Sequence, residues 1–338
     1  AGCTDAESCN YDEEATLDDG SCSYDCIGNG ENFFLGFDGG SNDDYVQIDG
    51  SDFSYGPNNF TIEAKVYFNS NGISNGGNGY GGIVSKSYWQ DGVPYGYSLR
   101  RMPEDRIQFQ IANLDNNGST MILSDSYINN HTWYDVAIVR DQGNLKMYID
   151  GELDFEWANI YDDPHYANLL QNMGLNSGDM YLGLANIHGC CPNGPNPEEL
   201  DGYLDEVRFW DHALTQDQIQ NNMETELSGN EIGLAAYYKM NSGDETYVYD
   251  YSGNQNHGTR YGTTLNTGGC TDSSACNYDE QAGLDDGSCE YESCAGCTDA
   301  GSCNYDGEAT LDDGSCEYDS CAGCTDAESC NYDEEATL

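Results

Sequence analysis

The chain has 338 residues, 61 of them acidic against 10 basic, for a formal charge of −51. Phosphate backbones and anionic membrane surfaces would be repelled by such a chain, so nucleic acid and membrane insertion are excluded as partners. No stretch approaches the ~18 apolar residues that span a bilayer, and what remains is a soluble extracellular protein that attracts cations.

Residues 1–26 open the chain with Cys3, Cys9, Cys22 and Cys26 in the pattern C-x5-C-x12-C-x3-C. The pattern returns, with four residues before the last cysteine, at Cys270, Cys276, Cys289 and Cys294, and again at Cys297, Cys303, Cys316 and Cys321. A unit this short cannot fold on an apolar core alone and needs staples. Four cysteines per unit predict two disulfides and an oxidising compartment. Three pairings per unit are open. The one taken here is first with third and second with fourth: Cys3–Cys22 and Cys9–Cys26, Cys270–Cys289 and Cys276–Cys294, Cys297–Cys316 and Cys303–Cys321. Zinc is the rival, because Cys294-x2-Cys297 and Cys321-x2-Cys324 are C-x2-C pairs. Those pairs straddle unit junctions and no histidine joins them.

Oxygen-bearing side chains recur beside these cysteines. They are Asp5, Asn10, Asp12, Asp18 and Asp19, then Asp272, Asn277, Asp279, Asp285 and Asp286, then Asp299, Asn304, Asp306, Asp312 and Asp313. Hard donors two residues apart, with a glycine for a sharp turn, are what calcium loops use. The alternative is that they only shape turns and a solvated face. Segments 1–26 and 269–338 hold 27 acids and no Lys or Arg. Calcium is therefore the expected cofactor.

Residues 27–268 change character. Tyr45–Ile48, Phe60–Tyr67, Ile107–Ile111, Trp133–Val139 and Leu145–Ile149 alternate apolar with polar residues, the period of half-buried strands. Asp150-Gly151 between two such runs predicts a tight hairpin. Many short strands indicate an all-β sandwich. Glu152, Asp154 and Glu156 alternate on a strand and would share a face, as the carboxylates of a retaining glycosidase do. Cys190 and Cys191 have only each other as partners and are expected to pair. One helix is predicted, capped by Thr215 and Gln218, with Ile219, Met223 and Leu227 on its apolar face and Gly229 as its stop. It is expected to pack at the sandwich edge.

Two resemblances follow from these residues. The GCTD…NYD…DDGSC units resemble repeats of very large secreted surface proteins of marine Bacteroidota, which implies export and a role in adhesion or surface fibres. Phe37-Asp38-Gly39, Phe60-Thr-Ile-Glu63, Ile83-Val-Ser-Lys86, Trp133-Tyr-Asp-Val-Ala137, Tyr148-Ile-Asp-Gly151, Gly202-Tyr-Leu-Asp-Glu-Val-Arg208 and Asp250-Tyr-Ser-Gly253 are similar to a laminin G-like, concanavalin A-like jelly roll. The second resemblance implies a non-catalytic domain that binds glycans, proteins or its neighbours. It also implies one structural calcium, with Asp38 and Asp205 as ligands. The E-x-D-x-E string at 152–156 in turn resembles the signature of concanavalin A-like glucanases.

Ala1–Leu17 and Ala322–Leu338 are identical in sequence. The chain is thus expected to be a window of a tandem array with segments 1–26, 27–268, 269–295, 296–321 and 322–338. The predicted role is a structural and adhesive unit at the cell surface. Its partners are neighbouring copies in the same chain, laterally associated identical chains and cell-surface glycans.

Overall fold

A computed structural model of the chain describes residues 1–4, 8–17, 22, 33–39, 44–53, 55, 58–70, 80–90, 93–113, 118–162, 178–185, 198–240, 246–280, 282–285, 288–307, 309–318 and 327. Chain contacts divide it into residues 1–265 and 266–338.

In the first unit the period-two runs are strands. They are β1 (Phe33–Asp38), β2 (Tyr45–Ile48), β3 (Phe60–Phe68), β4 (Gly81–Gln90), β5 (Val93–Arg101), β6 (Ile107–Asn113), β7 (Gly118–Leu123), β8 (Trp133–Asp141), β9 (Asn144–Ile149) and β10 (Glu152–Trp157). They continue as β11 (Met180–Leu182), β12 (Leu184–Ala185), β13 (Glu198–Glu199), β14 (Asp201–Trp210), β15 (Leu234–Tyr238), β16 (Tyr247–Val248) and β17 (Gly258–Tyr261). One sheet runs β10-β9-β8-β3-β14-β1, with β15 also on β14; the other runs β16-β17-β2-β11-β4-β5-β6-β7. All these pairings are antiparallel.

Their facing residues make one core. Leu35, Ile62, Val66, Ile138, Met147, Leu204 and Phe209 come from the first sheet, and Val46, Ile48, Leu99, Phe109, Ile111 and Leu182 from the second. The β9–β10 hairpin turns on Asp150 and Gly151, whose φ values are 50° and 74°. Two consecutive left-handed residues match the twist of the flanking strands, and glycine takes the second without strain.

Helix α1 (Gln216–Glu224) starts at Thr215, whose hydroxyl accepts Gln218 N while the Gln218 side chain returns to the Thr215 amide. It ends at Glu224, before Leu227 and Gly229. Thr225 is extended, with φ −125° and ψ 130°, and Leu227 packs from the segment beyond. The helix lies on the outer face of the first sheet rather than at its edge. Ile219, Leu214 and Leu227 meet Ala137, Val139, Tyr148, Trp210 and Tyr237 there in a second apolar cluster.

Strand β18 (Thr264–Gly269) runs across the division, and the second unit contains β19 (Leu284–Asp285), β20 (Ala295–Gly296) and β21 (Leu311–Asp312). Here β18 pairs in parallel with β19, and β20 with β21. A parallel bridge joins Cys270 to Tyr278 and Cys297 to Tyr305, and the amino-terminal module makes the same bridge between Cys3 and Tyr11.

Candidate functional site

The acids of β10 do not form a catalytic set. A bulge between Leu153 and Phe155 breaks the alternation, so Glu152 stands opposite Ile149 while Glu156 stands opposite Lys146. Cross-strand partners share a face, and positions 149 and 146 of β9 lie on opposite faces. Glu152 accepts Gln216 Nε2 and Gln220 Nε2 from α1, both at 3.1 Å. Asp154 accepts the Asp125 and Ser126 amides, and Glu156 lies 3.9 Å from Lys146 Nζ. Each carboxylate braces a neighbouring element.

Asp38 and Asp205 are also apart. Asp38 is opposite Asp201 on β14, four positions from Asp205. At a strand rise of ~3.3 Å per residue that is about 13 Å, beyond the reach of one ion. The Asp38 amide bonds Asp44 Oδ2 at 2.7 Å.

Asp205 instead belongs to a charged row across the first sheet: Asp205 is opposite Lys65, and Lys65 is opposite Asp135. Beside this row, under α1, Glu63 accepts Trp210 Nε1 at 2.7 Å and Asn222 Nδ2 at 3.1 Å, and Arg208 pairs with Glu206. Glu63, Asp135, Glu206, Arg208, Ile219 and Met223 line a cavity of about 10 Å³, the size of one water. Burial raises the Glu63, Asp135 and Asp205 carboxyls above the usual carboxylate range. Glu206 adds to the rise at Asp205, while Arg208 and the Trp210 and Asn222 hydrogen bonds oppose it at Glu63.

The outer face of the second sheet holds a polar layer that sequence reasoning missed. Arg100 pairs with Glu198, donates to Gln108 Oε1 at 2.8 Å and to Gln110 Oε1 at 3.0 Å, and lies 4.6 Å over the Tyr80 ring. Ser85 Oγ donates to Leu184 O at 2.6 Å. The short β12–β13 hairpin covers this layer, and Gly82 lets it approach: a Cβ there would clash with the backbone of Leu184, Ala185 and Glu198. The available signal was the run of polar residues at Ser98, Arg100, Gln108 and Gln110, at every second strand position.

A third feature is a row of rings. Tyr203, Tyr67 and Trp133 are in direct register across β14, β3 and β8, with ring centroids 5.5 Å apart at both steps. Phe34 closes on Tyr203 at 4.9 Å, and Lys65 Nζ sits 5.9 Å over Trp133. Trp133 and Tyr203 are half-buried, and neighbouring His131 is exposed.

The modules are braced by disulfides joining Cys3 to Cys22, Cys270 to Cys289, Cys276 to Cys294 and Cys297 to Cys316. First pairs with third in all three modules, and second with fourth in module 269–295. Cys9 and Cys303 are also disulfide-bonded. Cys26, Cys321, Cys190 and Cys191 lie outside the described residues, as do Asp5, Asp18, Asp19 and Asp286.

The recurring polar side chains hold turns together. Asn277 donates to Ser288 O at 2.7 Å and accepts Glu290 N at 2.8 Å; Asn304 does the same with Ser315 O and Glu317 N, both at 2.8 Å. Asp272 accepts Ser274 N at 2.9 Å and Tyr291 OH at 2.8 Å, and Asp299 accepts Gly301 N at 2.8 Å and Tyr318 OH at 2.6 Å. These bonds lower both carboxyls below the ordinary range. The Ser274 amide leads at Asp272, and the Tyr318 hydroxyl leads at Asp299. Asp12, Asp312 and Asp313 cap turns through Glu14 N, Gly314 N and Ser315 N. All five candidates of module 296–321 are described; Asp299 and Asn304 brace separate segments, while Asp312 and Asp313 share the 312–315 turn. No group of three or more His, Cys, Asp or Glu among the described residues is arranged to hold a metal.

A two-sheet sandwich with an outer helix is the architecture of lectin-like jelly rolls. The chain belongs to the concanavalin A-like lectin/glucanases superfamily, whose laminin G model matches residues 38–220. None of the curated proteins matches it. Among solved structures, a Bacteroides ovatus protein provisionally described as carbohydrate-binding is similar at 20% identity and a TM-score of 0.48, over 70% of this chain and 60% of that one. The chain thus spans less than two thirds of that protein. A heptameric pentraxin of Limulus polyphemus is similar at 14% identity and a TM-score of 0.42, over 75% and 98% of the two chains. The CBM40 of a Ruminococcus gnavus sialidase is similar at 12% and 0.42, over 57% and 98%. All three scores lie below 0.5, so the family rests on the sequence match.

Proposed function

We propose that the chain is a structural and adhesive unit of an extracellular array at the cell surface, of the kind found in giant secreted proteins of marine Bacteroidota. Disulfide-braced modules space out its sandwiches. The observation that supports this is how the modules use their polar side chains. Asn277, Asn304, Asp272 and Asp299 each brace their own module, which suits a spacer and leaves no chemistry to perform. The identity of Ala1–Leu17 with Ala322–Leu338 supplies the repetition. Partners are the neighbouring copies in the same chain and identical chains lying alongside. Calcium enters as a diffuse counter-ion of the acidic surface rather than as the occupant of a cage.

A second reading, a glycan-binding module that gains from being presented many times, is favoured by the family and by the ring row at Tyr203, Tyr67 and Trp133. Retention on immobilised polysaccharides, with release of reducing sugar assayed in parallel, tests both. The intact chain is expected to be retained without releasing sugar. Trp133→Ala should weaken retention roughly fivefold if rings carry the contact. Sugar release abolished by Glu152→Gln would overturn the non-hydrolytic reading.

A further inference from the structure

Modules 269–295 and 296–321 meet without a linker. Ala295 and Gly296 form β20, which pairs with β21 of the following module: Ala295 opposite Leu311 and Gly296 opposite Asp312. One residue earlier, the Cys294 carbonyl accepts Thr310 N at 3.0 Å and Leu311 N at 3.2 Å. Asp313 N then returns to Gly296 O at 3.3 Å. Cys294 is also the last cysteine of the preceding module, tied to Cys276. One residue thus carries the closing staple of one module and the acceptor on which the next one docks.

The seat for this strand is built from residues that recur. A Cβ on Gly296 would lie 3.0 Å from Ala309 Cβ and 3.2 Å from Asp306 Oδ2. Gly269 meets Ala282 and Asp279 at the same two distances, and Gly2 meets Ala15 and Asp12 at 3.3 and 2.9 Å. Asp12, Asp279 and Asp306 therefore wall a slot into which a glycine strand fits. At the sandwich end the slot is used in the same way, with Gly283 N on Thr267 O at 2.9 Å.

We propose that the edge marked by Leu311 is an interaction surface whose partner is the closing Cys-Ala-Gly segment of a neighbouring module, and that the Cys276–Cys294 disulfide holds this joint in register. The disulfide restricts the Cys294 backbone, so the carbonyl is already in place when Thr310 and Leu311 dock. Without it, the same segment must be ordered each time the joint forms. Stiffness thereby passes from one module to the next through a single residue. The idea bears on the spacer role proposed above but rests on the joint's own geometry, so a failure of adhesion would not touch it.

Amide hydrogen exchange on the full chain tests it, comparing the parent with the double variant Cys276→Ser/Cys294→Ser. Exchange at Thr310 and Leu311 is expected to rise by about tenfold or more, as for a locally opened joint. The Cys303 and Asp306 amides, bonded inside module 296–321 to Glu317 O and Cys297 O at 2.7 and 2.9 Å, should stay within about twofold. Unchanged exchange at Leu311 would overturn the proposal, and so would equal opening of the whole of module 296–321. Gly296→Val, with every disulfide kept, gives an independent reading should the double variant not fold. It should raise exchange at Leu311 and leave the Asp279 amide of the preceding module unaltered, and no rise at Leu311 would again overturn the joint.

Discussion

Glu63 shows how a single side chain sets a pH dependence. It sits buried under α1 with Trp210 and Asn222 as donors, and burial raises its carboxyl despite Arg208 and those bonds. A carboxyl whose folded pKa is raised binds its proton more tightly when folded. Its contribution is complete below the unfolded value of ~4.3 and is lost as pH rises through the folded value. Asp135 and Asp205 shift the same way. Glu63→Gln keeps an acceptor and removes the charge. Thermal melts should show it stabilising at pH 7 by roughly 1 kcal/mol and neutral near pH 4; equal shifts at both would contradict the assignment. Little of this was readable from sequence, where Glu63 is one polar residue in an apolar strand. The single face expected for Glu152, Asp154 and Glu156 is lost because a bulge leaves no trace in an alternating string. Arg100 and Glu198 escaped because 98 positions separate them in the chain.

At the scale of elements, the signals that worked were periodic. Trp133–Val139 and Leu145–Ile149 are strands β8 and β9 because their apolar residues recur at every second position. The Thr215–Gln218 cap marks the start of α1, but its end was misplaced, since β-branched Thr225 leaves the helix and Leu227 packs from an extended segment. In the modules, acids recurring beside cysteines suggested calcium. Asp299 and Asn304 tie down turns, a role that residue type alone does not distinguish from ligation. The difference is measurable. If calcium acts only as a counter-ion, adding excess chelator in ~0.15 M salt, where the screening length is ~8 Å, should leave module amide exchange unaltered. A fall in protection of module 296–321 on chelation at that salt would restore a built site. Asp272 and Asp299 have lowered carboxyls, so their contribution is present above the unfolded value and lost as pH falls through the folded one. Acid should therefore loosen the modules while it tightens the seat of α1.

The whole molecule combines a familiar jelly roll with stapled modules that cannot fold on apolar burial. The two kinds of segment were separable in sequence, because cysteines and 27 of the acids crowd 1–26 and 269–338, where there is no Lys or Arg, while all 10 bases lie between. The contacts divide the chain once, at 265/266, and keep residues 1–26 in the same unit as the sandwich. Disulfides of this density belong to an oxidising compartment outside the cytoplasm. No helix among the described residues is long and apolar enough to cross a membrane. The central claim is that this chain is a spaced, non-hydrolytic unit of an extracellular array. Immuno-electron microscopy of the native material, with an antibody raised against the 27–268 sandwich, tests it most directly. Label recurring at a constant interval along extracellular filaments is the predicted result; label scattered singly, with no repeat, would contradict it.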